Sequence, residues 1–189
     1  MILPIQDTPT TNLAAIYGEL GISLSYIAHR YLPLQAEPPE LVVAQTGSDP
    51  DGTPRDYLLT PSARRAWAAM HTAAMQDGVP LAIVSAFRSV QRQTDIIRAK
   101  LGRGERIEDI LRVNAPPGTS EHHTGRAIDI GSSQAASLEE VFETTLSFSW
   151  LCANAGRFGF VMSYPRGNAQ GFVYEPWHWC WHSPDGPEP

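Results

Sequence analysis

Four of the six histidines of this chain fall in two short, acid-bearing segments that lie far apart. The first is Ser120-Glu121-His122-His123-Thr124-Gly125-Arg126-Ala127-Ile128-Asp129, and the second is Glu175-Pro176-Trp177-His178-Trp179-Cys180-Trp181-His182. Hydrolytic zinc takes three protein donors from histidine and carboxylate and keeps a fourth position free. His122, Asp129 and His178 can supply that set only if the fold lays the two segments side by side. That requirement restricts the architecture more than any other feature. Ala127 and Asp129 share one face of an alternating strand, Arg126–Ile130, where a small alanine leaves room beside the carboxylate. Gly125 allows the tight turn that folds the His122 loop over this strand. In a regular strand Glu175 and His178 would point to opposite faces, because their separation is odd. Pro176 cannot donate a ladder hydrogen bond, so a local break is expected there.

With that break, Glu175 is the candidate base for the proton of an attacking water. The charges agree, since zinc at +2, one aspartate and one glutamate sum to zero when both histidines are neutral. His29 and His71 read as ordinary surface or core histidines. His123 and His182 stay ambiguous, as either can replace its neighbour as ligand or support it from behind.

The surrounding pattern is α+β. Helices are expected from Asn12 to Glu19, ended by Gly21, and from Ser23 to Arg30. The stretch from Leu32 to Asp56 is rich in proline, glycine and aspartate and reads as loop, apart from a strand at Leu41–Ala44. Thr60-Pro61 is a cap followed by a first helical residue, and the helix runs to Gly78. Pro80–Ala86 reads as a strand, and Ser89 opens a helix ending at Gly102. A short helix is expected near Ile107–Leu111. Ser137–Ala155 reads as helical with an interruption near Ser147–Ser149. Two aromatic-rich strands, Phe158–Tyr164 and Gly171–Trp181, are expected to form a hairpin across PRGNAQ. Strands are few and lack βαβ alternation, which favours a small antiparallel sheet flanked by helices. Residues 1–55 read as an irregular and helical arm packing on a catalytic domain at 56–183, with 184–189 as a tail. Trp177, Trp179 and Trp181 read as core and cleft lining.

Composition sets the outer limits. A net charge of −6 excludes the broad basic footprint of a nucleic-acid binder. Thirteen of the fourteen basic residues are arginine, and Lys100 is the single lysine. No apolar run is long enough to cross a membrane. MILPIQDTPTTNL lacks the basic start and apolar run of a signal peptide, so the chain reads as intracellular or as given without an export segment. Cys152 and Cys180 make no disulfide framework; they are either two buried thiols or one pair. Oligomeric state is not legible.

The residues also resemble a known family. S-x-H-x-x-G-x-A-x-D followed by E-P-W-H is similar to the zinc D-alanyl-D-alanine carboxypeptidases of the VanY type, which are related to VanX dipeptidases and L,D-carboxypeptidases. Upstream, Ser85-Ala86-Phe87-Arg88-Ser89 with Gln93 resembles the family's S-G-[YF]-R-S-x-x-x-Q. Phe158-Gly159-Phe160 and Tyr164-Pro165 match in order as well. The resemblance spans residues 60–182 and implies a hedgehog/DD-peptidase-like fold. It further implies one Zn2+ per chain on His122, Asp129 and His178, with Glu175 as base. Arg88 would bind substrate and steady the oxyanion, and Gln93 and Ser120 would contact the terminal D-residue. The implied partner is a peptidoglycan stem peptide ending in D-alanine, which would place the action in the bacterial cell envelope. An L,D-carboxypeptidase or cell-wall endopeptidase on the same site is the near alternative, and a non-catalytic zinc-stabilised binding module the distant one. The chain departs from the family at Ala86, where glycine is common, and at Cys180-Trp181-His182, where arginine and tyrosine are usual.

Overall fold

The computed structural model describes residues 12–48, 53–131 and 138–183. The expected tail at 184–189, the start of the arm and Ser137 lie outside the described residues.

Helix starts follow the capping residues. In α1 (Leu13–Leu20) the Asn12 side chain accepts from Ala15 N, and Gly21 closes the helix in the left-handed region. A shorter α2 (Leu24–His29) follows, capped by Ser23. In α3 (Pro61–Gln76) Thr60 accepts from Ala63 N and Pro61 takes the first position, where its missing N–H costs nothing. Ala63, Trp67, Met70 and Ala74 are the buried face of α3. Ser89 caps α4 (Val90–Gly102), which buries Val90, Gln93, Thr94 and Ile97. α5 spans Ile107–Val113, and α6 spans Leu146–Asn154.

The central sheet is antiparallel in the order β3-β4-β6-β5, from β3 (Ala82–Ser85), β4 (Ala127–Gly131), β5 (Phe160–Met162) and β6 (His178–Trp181). Its period-2 alternation divides the molecule. Ile83, Ile128, Ile130, Phe160, Trp179 and Trp181 enter the main core with Trp67, Met70 and Leu151. Burying one such side chain fully contributes about 1.5–3 kcal/mol. Ser85, Asp129 and His178 are paired across neighbouring strands, on the alternate positions. A second cluster joins α1 to α4 and α5 through Tyr17, Leu20, Ile97, Ile110 and Leu111, and the Tyr17 hydroxyl donates to Pro117 O at 2.6 Å.

Several expectations need correction. The stretch read mostly as loop holds a hairpin, β1 (Val42–Ser48) against β2 (Pro54–Leu59), with a bulge between Val43 and Gln45. Its signal is weak because only Tyr57 and Leu59 are deeply buried and the other positions are exposed or half-buried. The bulge has a use. Gln45 donates from Nε2 to Ile83 O at 3.1 Å and accepts from Ile83 N at 3.0 Å, so its amide covers the free edge of β3. The aromatic strands do pair, but no tight hairpin joins them, because residues 163–177 form a long irregular connection. The helical stretch breaks at Thr145, earlier than expected, because the Thr145 hydroxyl accepts from Phe148 N and starts α6. Cys152 is exposed, Cys180 is buried, and both are free.

Gly125 sits at φ 63°, and a Cβ there would lie 2.8 Å from Leu41 Cδ2 and 3.3 Å from Thr60 Cγ2. Its carbonyl also accepts from Thr60 N at 2.9 Å. Gly125→Ala should therefore destabilise the fold by at least about 1–2 kcal/mol, the usual cost of a side chain in the left-handed region. Urea denaturation checks this, and an unchanged midpoint would refute the reading.

Candidate metal centre

His122 lies in a 3₁₀ turn, Glu121–Thr124, ended by Gly125. Its Nδ1 donates to Ala86 O at 2.8 Å, which leaves the Nε2 lone pair aimed at Asp129 Oδ2, 3.2 Å away. Asp129 and His178 are register partners in adjacent strands, and His178 Nδ1 lies 3.0 Å from Asp129 Oδ1. The two imidazole rings meet nearly at right angles, with centroids 4.9 Å apart. One donor atom from each of the three residues falls within 4.8 Å of the others, and all three residues are buried. Two imidazole nitrogens and one carboxylate at this spacing fit a single zinc ion with one position left open.

The chain breaks at Pro176 as expected. A turn runs through Pro176 and Trp177, closed by His178 N donating to Glu175 O at 3.1 Å. Glu175 N donates to Tyr164 O at 3.1 Å. This brings Glu175 Oε2 to 3.9 Å from His178 Nδ1 despite the odd separation. Glu175 and Arg88 line the same cleft as the His–Asp–His cluster, a space of about 330 Å³.

Arg88 is held from below. It donates to Gln93 Oε1 at 2.8 Å and to Ser85 Oγ at 3.3 Å. Gln93 is fully buried and donates to Ala115 O at 2.6 Å. Gln93 thus lies beneath Arg88, with both ends of its amide engaged inside the protein. Ser120 does line the cleft. His123 is spoken for, as Nδ1 donates to Arg88 O at 2.6 Å and Nε2 accepts from Gly118 N at 3.1 Å. His182 is exposed. Neither replaces its neighbour. Trp177 lines the cleft, while Trp179 and Trp181 are core.

One residue was missed. Glu121 Oε2 lies 2.9 Å from His178 Nε2 and also accepts from Ser163 Oγ at 2.6 Å. A carboxylate on the far nitrogen leaves Nδ1 as the cation-facing atom of His178. The sequence shows an acid beside His122, but no spacing rule links it to a histidine on another strand.

Electrostatics follow from these contacts. In the protein alone, Asp129 and Glu121 push His178 up to about 10 against the effect of burial. Glu121 is held down at about 2 by its bond to His178, burial opposing. Asp129 lies far below the usual carboxylate range because of His122 and His178, again against burial. Burial pushes Glu175 up to about 7, with Asp129 adding to the rise and His178 and Arg88 opposing it. With both histidines neutral, as metal ligands are, the Asp129 and Glu121 carboxylates outweigh Arg88, which favours a bound cation.

These features define a class, an α+β fold with a candidate His–Asp–His metal site in a cleft. The chain belongs to the VanY family of D-alanyl-D-alanine carboxypeptidases, whose profile matches residues 56–184. It is similar to YodJ of Bacillus subtilis (strain 168), at 35% identity over 151 residues, covering 78% of this chain and 55% of YodJ. A D-alanyl-D-alanine carboxypeptidase of Enterococcus faecalis is 32% identical over 118 residues, covering 57% of this chain and 42% of that protein. The chain thus spans about half the length of the curated relatives it matches. Among solved structures, the LD-carboxypeptidase LdcB superposes with a TM-score of 0.69 at 32% identity, over 79% of this chain and 71% of LdcB. VanYB in complex with D-alanine-D-alanine gives 0.57 at 25% identity, over 79% and 85%. A Zn(II) complex of the D,D-pentapeptidase VanY gives 0.56 at 25% identity, over 80% and 88%. Among the described residues no helix is long and apolar enough to cross a membrane.

If the three residues hold zinc, free metal a thousandfold above its Kd should stabilise the protein by about 4 kcal/mol. For a chain of this size that raises Tm by about 8–16 °C. A chelator-treated sample titrated with zinc in a calorimeter measures this, and a flat Tm would exclude the site. Glu121→Gln should weaken zinc about 10- to 100-fold in a competition titration, the usual cost of losing a carboxylate behind a ligating histidine.

Proposed function

We propose that this protein is a zinc-dependent carboxypeptidase that removes the terminal D-alanine from peptidoglycan stem peptides. The observation that carries the reading is the convergence of His122, Asp129, His178, Glu175 and Arg88 on one cleft. Family membership supports the choice of substrate class. Such a substrate belongs to the bacterial cell envelope, so action there follows from the same reading.

His122 Nε2, His178 Nδ1 and an Asp129 oxygen would hold the cation. When bound, a zinc ion supplies Lewis-acid chemistry, acidifying water and polarising a carbonyl oxygen. Glu175 takes the proton of the attacking water on its carboxylate and returns it to the leaving amine. Its shielded position beside Trp177 suits this, because a carboxylate poised near neutrality both accepts and releases a proton readily. Arg88, anchored by Gln93 and Ser85, presents its remaining N–H groups to the oxygen that becomes negative. Burial lowers the Arg88 pKa somewhat, while Asp129 and Glu175 favour its charged form.

The L,D-carboxypeptidase alternative is favoured by the likeness to LdcB at 32% identity. A defined pentapeptide and tetrapeptide, each ending in D-alanine, separate the two by product identification. Release from the pentapeptide alone supports D,D specificity, and release from the tetrapeptide alone transfers the reading to L,D. No release from either by zinc-loaded protein would end it.

Glu175→Ala should retain zinc but lose at least about 10³-fold in kcat, since the variant removes the proton acceptor from an otherwise intact site. Metal analysis together with turnover checks this; a fully active variant would overturn the assigned role. Gln93→Leu should lower kcat by about tenfold or more, by releasing Arg88 from its anchor. Gln93→Glu, which can still accept from Arg88, should recover part of that loss, an effect that damage to the fold alone would not produce.

A further inference from the structure

The N-terminal arm reaches the loops that carry the candidate centre. Residues 33–41, an irregular segment between α2 and β1, touch those loops at three places. Gln35 N donates to Gly118 O at 2.8 Å. Pro38 and Leu41 lie against Gly125, where a Cβ would come 3.3 and 2.8 Å from them. Between these contacts a Glu37 carboxylate oxygen accepts from Val90 N at 2.6 Å. All four arm residues stand outside the stretch 56–184 that the family profile matches.

Val90 opens α4, and its N–H is one of the donors that a helix start leaves without an intrahelical partner. The Ser89 hydroxyl satisfies another by accepting from Arg92 N at 3.1 Å. A carboxylate at this end also complements the positive pole of the helix dipole. The turn matters because Arg88 and Gln93 stand on either side of it. Gln93 N closes it on Ser89 O at 3.0 Å, and the Gln93 amide accepts from the Arg88 guanidinium at 2.8 Å. The main chain of Arg88 is held elsewhere, since its N–H donates to His122 O at 3.1 Å and its carbonyl accepts from His123 Nδ1 at 2.6 Å. The direction of the guanidinium therefore depends on the first turn of α4 staying wound. Gln91 and Arg92 on that turn are exposed, and helix ends open first.

We propose that Glu37 is a positioning residue, which fixes Arg88 by holding the first turn of α4 and, through it, Gln93. This rests on the carboxypeptidase reading above and deepens it, because the arm then contributes to the reacting end of the cleft. Glu37 acts on the contact that Arg88 makes with the developing oxyanion. Its loss should lower kcat while KM and bound zinc stay as they are.

The test uses zinc-loaded full-length protein and a peptide ending in D-alanine. Glu37→Ala should lose about three- to tenfold in kcat, the scale of one helix-start contact. Glu37→Gln keeps an acceptor oxygen and should recover most of that loss. In a Gln93→Leu background, where Arg88 has already lost its anchor, Glu37→Ala should cost less than about twofold. General damage to the fold would instead multiply the two losses. Full activity of Glu37→Ala, or the same loss in both backgrounds, would overturn the proposal. NMR of the Arg88 guanidinium N–H groups, assigned with Arg88→Lys, reads the anchor without turnover. These signals should be distinct in wild type and averaged in Glu37→Ala; unchanged signals would overturn the proposal. A loosened Arg88 in Glu37→Ala, when wild type releases no D-alanine, would uphold the anchor and end the carboxypeptidase reading. Release by wild type, with Glu37→Ala equally active, would do the reverse.

Discussion

The pairing of β4 with β6 is the contact on which the rest depends. It sets Asp129 opposite His178 in the middle of the sheet, with Ile128 opposite Trp179 on the other face. Side chains alternate along a strand, so a slip of one residue would exchange the isoleucines with the aspartate. It would bury an unpaired carboxylate in the apolar core and remove the candidate centre together. The large core residues Ile128, Ile130, Trp179 and Trp181 therefore hold the site in register. Stability and chemistry share one constraint.

Around that pair the charges are arranged unevenly. Asp129, Glu121 and Glu175 face two imidazoles and one guanidinium. Against the cost of burial, the Asp129 and Glu121 carboxylates on either side of His178 favour its charged form. Removing one partner from a buried ionic cluster costs about 3–5 kcal/mol, since the other charge is left uncompensated. Gln93 and His123 have a different task. Both are buried, and each holds a part of Arg88, its guanidinium or its carbonyl. Such support explains how a desolvated arginine keeps one orientation.

The outer elements stabilise the irregular connection that carries Glu175. Arg30, at the end of α2, stacks on Phe172 at 4.1 Å, donates to Leu111 O at 2.9 Å, and also donates to Gln170 O. Tyr164 packs against Phe172 and against the His178 ring. The segment from Tyr164 to Trp177 has few ladder hydrogen bonds of its own, so these aromatic and cationic contacts define its path. Gln45 does the equivalent at the opposite edge by satisfying β3.

Local chemistry was readable from the residues directly. Asn12, Thr60 and Ser89 announced helix starts, Gly125 a left-handed turn, Pro176 a break, and alternation around Asp129 a strand. Capping, turn and periodicity signals act within a few residues, and so they survive in the sequence. The β1–β2 hairpin did not, because its stabilisation comes from a few buried contacts and from pairing between strands that are otherwise exposed or half-buried. Nor did Glu121, whose meaning depends on a histidine 57 residues away, or Gln93, which turned out to face inward. Donor identities belong to the sequence. Which nitrogen faces a cation and which amide supports an arginine were decided by tertiary packing, because orientation and distance between remote side chains exist only once the sheet has set its register.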